Sequence, residues 1–155
     1  KMRAIQQFLG DVEWGELDWL ICDSPPGTGD EPLSVAQLIP AAAALVVTTP
    51  QDVSVMDSKK ALTFARMLKL EVLGVVENMS GFTCPHCGKS IELFKRGGGE
   101  TIAGRFQVPF LGRIPIEPRL VESGDRGKPY MLENETSETA KAFGDIVDKI
   151  LEGVK

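Results

Sequence analysis

The apolar residues of this chain fall into two kinds of pattern. Leu17 to Cys22 is a short apolar run ended by Asp23 and then Pro25-Pro26-Gly27, a sequence that must leave a strand and turn. Ala41 to Thr49 is a second such run, stopped by Pro50, and neither alternates between apolar and polar. That predicts strands of a sheet covered on both faces. Val72 to Glu77, followed by Asn78, and Phe110 to Ile114, stopped by Pro115, predict two more buried strands. Helical spacing lies between them. Leu33, Ala36 and Ile39 share one side of a short helix over 32–39. Ala61, Phe64, Ala65 and Leu68 share a face of a helix capped by Ser54 or Asp57 and ending near Leu70. Ala140, Phe143, Ile146, Val147, Ile150 and Leu151 form the stripe of a final amphipathic helix over 137–151. Strands and helices alternate, which predicts an α/β fold with a mostly parallel sheet flanked by helices. Residues 80–99 and 122–135 break the rhythm and read as loops. At the start, Met2, Ile5 and Leu9 stand at helical spacing directly after Lys1, so the chain is expected to begin inside a helix, with sequence missing upstream.

Composition narrows the class. A chain of 155 residues with 43% hydrophobic residues is expected to form a single domain, residues 1–155, with an adequate core. A net charge of −5 lacks the broad basic face that neutralises a phosphate backbone, so no nucleic-acid partner is expected. No run approaches the roughly 20 apolar residues of a membrane span, and the N-terminus has no signal-peptide order, so no membrane partner and a cytoplasmic location are expected. Three cysteines, two of them in a C-x-x-C pair, point in a reducing compartment to metal or redox chemistry rather than a disulfide framework.

Chemistry concentrates at predicted strand ends and in one loop. Asp23, followed by S-P-P-G-T-G-D, resembles the Walker B and switch region of P-loop ATPases. A strand-end carboxylate can hold the water shell of Mg²⁺, and Gly27 lets backbone N–H groups approach a terminal phosphate; the plain alternative is a strand-ending Asp in a Pro-Gly turn. Gln51, Asp52 and Asn78 follow the next two strands, where ligands of open α/β sheets bind, so they and Asp23 could share one crevice. The Asn78 amide offers a donor and an acceptor to an adenine edge, or it simply turns the chain. A phosphate cradle is missing: Gly88-Lys89-Ser90 has Thr83 where the first glycine of G-x-x-x-x-G-K-[ST] belongs, and Pro129 follows Gly127-Lys128. Efficient ATP hydrolysis is therefore not expected of this chain alone. Gly97-Gly98-Gly99 reads as flexible loop, with an anion-binding helix start as the alternative.

The densest local signal is Cys84-Pro85-His86-Cys87-Gly88. Two thiolates at this spacing clasp one metal, and Gly88 lets backbone N–H groups turn toward sulfur. Four ligands are wanted, whereas Cys22 falls in a predicted core strand and His86 is left out as a ligand; a two-fold dimer giving Cys84 and Cys87 from each chain completes the count. A structural zinc knuckle and a disulfide oxidoreductase are the rival readings, the latter set against by the absence of a long helix after the pair.

Taken in order, D-S-P-P-G-T-G-D, T-T-P-Q-D-V, G-V-V-E-N-M-S-G-F, C-P-H-C-G, G-G-G-E and V-P-F-L-G-R-I-P-I resemble the Mrp (ApbC-like) branch of the MinD-related P-loop ATPases over nearly the whole chain. The resemblance implies the C-terminal portion of an ATPase domain and a homodimer that binds ATP. It implies a labile [4Fe–4S] cluster held between subunits and delivered to apo-proteins. By that likeness Asp23 supports Mg²⁺, Gly27 senses the γ-phosphate, Asn78 and the chain near Pro115 meet adenine, and Cys84 and Cys87 are the cluster ligands. The two-lysine Walker A loop of such proteins has no counterpart here. The alternative is a nucleotide-regulated dimeric interaction module with a zinc staple.

Overall fold

A computed structural model describes residues 2–40, 42–84 and 86–153. The elements run α1 (Met2–Gly10), α2 (Asp30–Leu38), β1 (Ala43–Thr48), α3 (Asp52–Met67), β2 (Glu71–Glu77), β3 (Phe82–Thr83), β4 (Ser90–Ile91), α4 (Gly98–Phe106), β5 (Phe110–Arg113), α5 (Pro118–Asp125), α6 (Tyr130–Glu133) and α7 (Glu138–Gly153). The main sheet has the order β1-β2-β5 and is parallel throughout, as the alternation of strands and helices requires.

The core divides at this sheet. On one face Val46 and Val75, which are register partners, pack with Leu62 of α3 and with Ile102, Ala103 and Phe106 of α4. On the other, Val76 and Leu111 pack with Ile114 and with Ile146 of α7. Both faces are thus covered at β2. At β1 they are not: α7 packs on β5 and β2, and Leu45 and Val47 remain exposed on that side. The expectation of a sheet covered on both faces holds for the centre and fails at this edge.

The strand expected over Leu17–Cys22 does not form. Residues 12–29 contain neither helix nor strand, Ile21 is 90% exposed, and Cys22 is an exposed thiol rather than a core residue. The physical reason lies in the sheet. An apolar run without alternation needs a neighbour on each side and a layer on each face; beside β1 it would gain one neighbour and one covered face. Asp23 consequently does not sit at a strand end.

Other boundaries moved for local reasons. The helix expected from Ser54 or Asp57 begins at Asp52 with Gln51 at its cap, and the Ser54 hydroxyl accepts the Thr49 N–H at 3.1 Å. The loop expected over 122–135 carries the end of α5 and all of α6, where buried Tyr130 is tied to Ser137. The loop expected over 80–99 contains the antiparallel β3-β4 hairpin, and its glycines begin a helix. Among the described residues no helix is long and apolar enough to cross a membrane.

Candidate functional site

Two features meet at the C-terminal edge of the parallel sheet. One is the strand-end group after β1 and β2. The Asn78 N–H donates to the Thr48 carbonyl at 2.7 Å, and Gln51 and Asp52 come after Thr48 by way of Thr49 and Pro50, so Asn78, Gln51 and Asp52 share one edge. Beside them the Ile114 N–H donates to the Glu77 carbonyl and the Ser80 N–H to the Ile114 carbonyl, at 2.8 and 2.9 Å, so Pro115 runs alongside residues 78–81. The Asn78 side-chain oxygen accepts the Met79 N–H at 2.9 Å, and Met79 takes a positive φ of 56°. The structure therefore brings Asn78 and Pro115 together. Asp23 and Gly27 lie in the exposed 12–29 segment, and among the described residues no backbone hydrogen bond joins 12–28 to the sheet. Gly27 has φ of +100°, a conformation that L side chains rarely adopt.

The second feature is the cysteine loop. Phe82 bridges to Ile116, which continues the line of pairing from β2, and then pairs antiparallel with Ile91. At the tip the Cys84 N–H donates to the Lys89 carbonyl and the Gly88 N–H to the Cys84 carbonyl, at 3.0 and 2.9 Å, closing a tight turn in which Gly88 has φ of +67°. Cys84 is half-buried and Cys87 exposed. The backbone N–H groups of Cys87 and His86 point at the Cys84 sulfur, and with the Cys87 side chain they hold the Cys84 thiol below its ordinary 9.0 against a small opposing effect of desolvation. Two adjoining sulfurs, one with its thiol pKa lowered, are a pair that can clasp a metal. Among the described residues no third His, Cys, Asp or Glu joins them to complete a metal site. Pro85, within the motif, lies outside the described residues.

Sequence reasoning missed the residue that seats this loop. Glu77 ends β2 with its side chain fully buried, 0% exposed. Its Oε1 accepts the Ser80 hydroxyl at 2.5 Å and the Gly97 N–H at 3.0 Å, and its Oε2 accepts the Gly99 N–H at 2.6 Å. The Arg113 Nε lies 3.4 Å from Oε1 and adds its charge without hydrogen-bonding geometry, while its guanidinium also donates to Glu100. Burial, the largest single influence, would raise the Glu77 pKa. The Ser80, Gly97 and Gly99 hydrogen bonds and Arg113 together outweigh it, and the carboxyl stays below its ordinary 4.5. The three glycines are thus not flexible loop. A Cβ at Gly98 would lie 2.7 Å from the Pro50 carbonyl oxygen, and one at Gly99 would lie 2.9 Å from the Glu77 Cβ. The α4 N-terminus does bind an anion, and the anion is this chain's own carboxylate. Its only trace in the sequence is a carboxylate closing an apolar strand and a glycine triplet beginning 20 residues on, two features that nothing in the pattern ties together.

A family model described as ParA, NUBPL iron-transfer P-loop NTPase, matches residues 1–151. The chain belongs to that family. Family relatives include an iron-sulfur cluster carrier protein of Methanocaldococcus jannaschii, 49% identical over 98% of this chain and 52% of its own length. The human cytosolic Fe-S cluster assembly factor NUBP2 is 47% identical over 98% of this chain and 57% of its own. The chain therefore spans about half the length of the curated relatives it matches. Among solved structures, a nucleotide-binding protein of Archaeoglobus fulgidus, in complex with ADP, matches with TM-score 0.73 and 40% identity over 90% of this chain and 59% of its own. The MinD cell division protein of Aquifex aeolicus matches with TM-score 0.68 over 97% of this chain and 59% of its own. At 22% identity it shows the fold alone, a MinD-like P-loop NTPase architecture.

Proposed function

We propose that this chain is the cluster-holding, C-terminal portion of the ATPase domain of a cytoplasmic, ATP-binding iron–sulfur cluster carrier. The observation that carries the reading is the Cys84–Cys87 turn: two adjoining sulfurs, one with its thiol pKa lowered, presented on a short hairpin with no further ligand beside them among the described residues. A [4Fe–4S] cargo wants four thiolates. Two chains giving Cys84 and Cys87 each supply them, so the cluster bridges a homodimer and passes to apo-proteins from an accessible edge. The names of the M. jannaschii and human relatives support the cargo, and the cytosolic assembly factor supports the compartment.

The nucleotide half of the reading rests on the strand-end group. Asn78, with Pro115 beside it, has the donor and acceptor to meet an adenine edge. Asp23 would hold the water shell of Mg²⁺, and Gly27 would give backbone N–H groups access to the terminal phosphate. In the intact protein ATP hydrolysis would set the state of the dimer, and residues 1–155 would act as one unit carrying the metal loop at about 80–99. Apo-protein recipients are the partners of this reading; nucleic acid and membrane are not.

The test is iron and sulfide content after anaerobic reconstitution, for the wild type and for Cys84→Ala with Cys87→Ala, followed by transfer to an apo-protein that regains activity only with a [4Fe–4S] cluster. About two irons and two sulfides per chain, lost in the double variant, support the proposal. Tight zinc at about half an equivalent per chain, with no iron uptake, would replace it by a structural zinc staple.

A further inference from the structure

The cysteine hairpin is an excursion of the chain between β2 and α4, and both of its feet rest on one side chain. The entrance is Ser80, whose hydroxyl donates to Glu77 Oε1 at 2.5 Å; the exit is Gly97, whose N–H donates to the same oxygen at 3.0 Å. Immediately after the exit, the Gly99 N–H of α4 takes the other oxygen at 2.6 Å. Outside this clasp the entrance is also tied through its backbone, the Ser80 N–H donating to the Ile114 carbonyl at 2.9 Å and the Ile116 N–H to the Gly81 carbonyl at 2.8 Å beside the Phe82–Ile116 bridge, whereas toward the exit stands the surface ion pair of Lys95 with Asp52 at 2.6 Å. Ile91, Leu93 and Cys87 on the hairpin are exposed. The buried Glu77 carboxylate, with two oxygens and three donors and with Arg113 behind it, is the only side chain among the described residues hydrogen-bonded to both ends of the excursion.

We propose that Glu77 is the positioning residue of the cysteine loop: its carboxylate fixes where the Cys84–Cys87 turn stands on the sheet edge by clamping residues 80 and 97 to the end of β2. This deepens the cluster-carrier reading, and it rests on that reading only for what the turn holds; the clamp itself is a property of the chain. A glutamine cannot replace it. With the amide oxygen at the Oε1 position, the NH₂ faces the Gly99 N–H; with the amide turned over, the NH₂ faces the Gly97 N–H, donor against donor in a buried site. Ser80→Ala is the milder change, since it removes only the side-chain tie at the entrance, leaves the Ser80 N–H on the Ile114 carbonyl and keeps the carboxylate.

Limited trypsin digestion under native conditions reads the clamp, because Lys89, Lys95 and Arg96 lie within the excursion. Glu77→Gln is expected to raise cleavage at those three sites by about tenfold or more, and Ser80→Ala by about three- to tenfold, the range for a typical net hydrogen bond, because the Ser80 N–H still holds the Ile114 carbonyl. The control is Leu62→Val, which loosens the core on the opposite side of β1 and β2 from α7 without touching the loop. A general loss of stability would raise loop cleavage equally in that control, and this outcome overturns the proposal. So does wild-type cleavage in both loop variants. Should Glu77→Gln fail to fold, Ser80→Ala against Leu62→Val decides alone. A second arm follows iron release to a chelator from anaerobically reconstituted protein, expected to be several-fold faster in Ser80→Ala. A wild type that takes up no iron would sink the cluster reading, while the trypsin ratio still judges the clamp.

Discussion

Replacing Gly99 by Ala tests the seat of α4 through the sign of its effect. In an open helical position such a change stabilises by about 0.5–1 kcal/mol, because glycine loses more backbone freedom on folding. At position 99 the new methyl would lie 2.9 Å from the Glu77 Cβ, 3.2 Å from Glu77 Oε2 and 3.2 Å from the Thr48 Cγ2. These atoms sit on two paired strands of the main sheet, and the Glu77 oxygens are held by three hydrogen bonds, so no flexible side chain can swing away. Relief requires α4 to lift by several tenths of an ångström. Overpacking of this kind costs about 1–3 kcal/mol, and stretching the Gly99 N–H bond to a buried carboxylate adds to it. Net destabilisation of about 2–3 kcal/mol is expected once the helix-propensity gain is subtracted. Gly104, in the same helix, meets nothing within 4 Å, and Gly104→Ala should stabilise by about 0.5–1 kcal/mol. Urea unfolding followed by far-ultraviolet circular dichroism measures both. A neutral or stabilising Gly99→Ala would refute the close approach of α4 to Glu77.

Further outcomes follow from the same geometry. Because the folded-state pKa of Glu77 lies below its ordinary 4.5, its stabilisation is complete above that pH and is lost as pH falls through the depressed folded value. The unfolding free energies of wild type and Glu77→Gln should therefore differ most near pH 7 and converge in acid, as unfolding series at pH 7 and below 4.5 would show. Alkylation of metal-free Cys84 by iodoacetamide should show a pH midpoint below the ordinary 9.0, read by peptide mass spectrometry; a midpoint at or above it would mean that the His86 and Cys87 N–H groups do not face the sulfur. Asn78→Ala should weaken adenine-nucleotide binding by the intact protein about tenfold, measured by calorimetry, with guanine nucleotide as the control.

The sheet and its flanking helices were legible in the sequence where the pattern had a physical partner inside the chain. The runs ending at Thr49, Glu77 and Ile114 became strands because each finds a neighbour in the order β1-β2-β5. The equally apolar Leu17–Cys22 run did not, because pattern records what a segment can bury and not whether an edge and a covering layer await it. The polar stretch after Glu122 concealed helices α5 and α6, whose burial rests on few residues, Ser123 and Tyr130 among them. The turn at Cys84–Gly88 was readable from the C-x-x-C-G spacing, since a glycine after the pair gives the backbone the positive φ by which it reverses. Glu77 was not, because a carboxylate ending an apolar strand looks like a solvent-facing terminus until the glycine N–H groups arrive from 20 residues downstream.

The most direct test of the central claim is native mass spectrometry of the anaerobically reconstituted protein. The account predicts a dimer carrying one [4Fe–4S] cluster per two chains, with the cluster mass absent when Cys84→Ala and Cys87→Ala are combined. A single chain that holds a whole cluster, or a dimer that holds zinc and takes no iron, would contradict it.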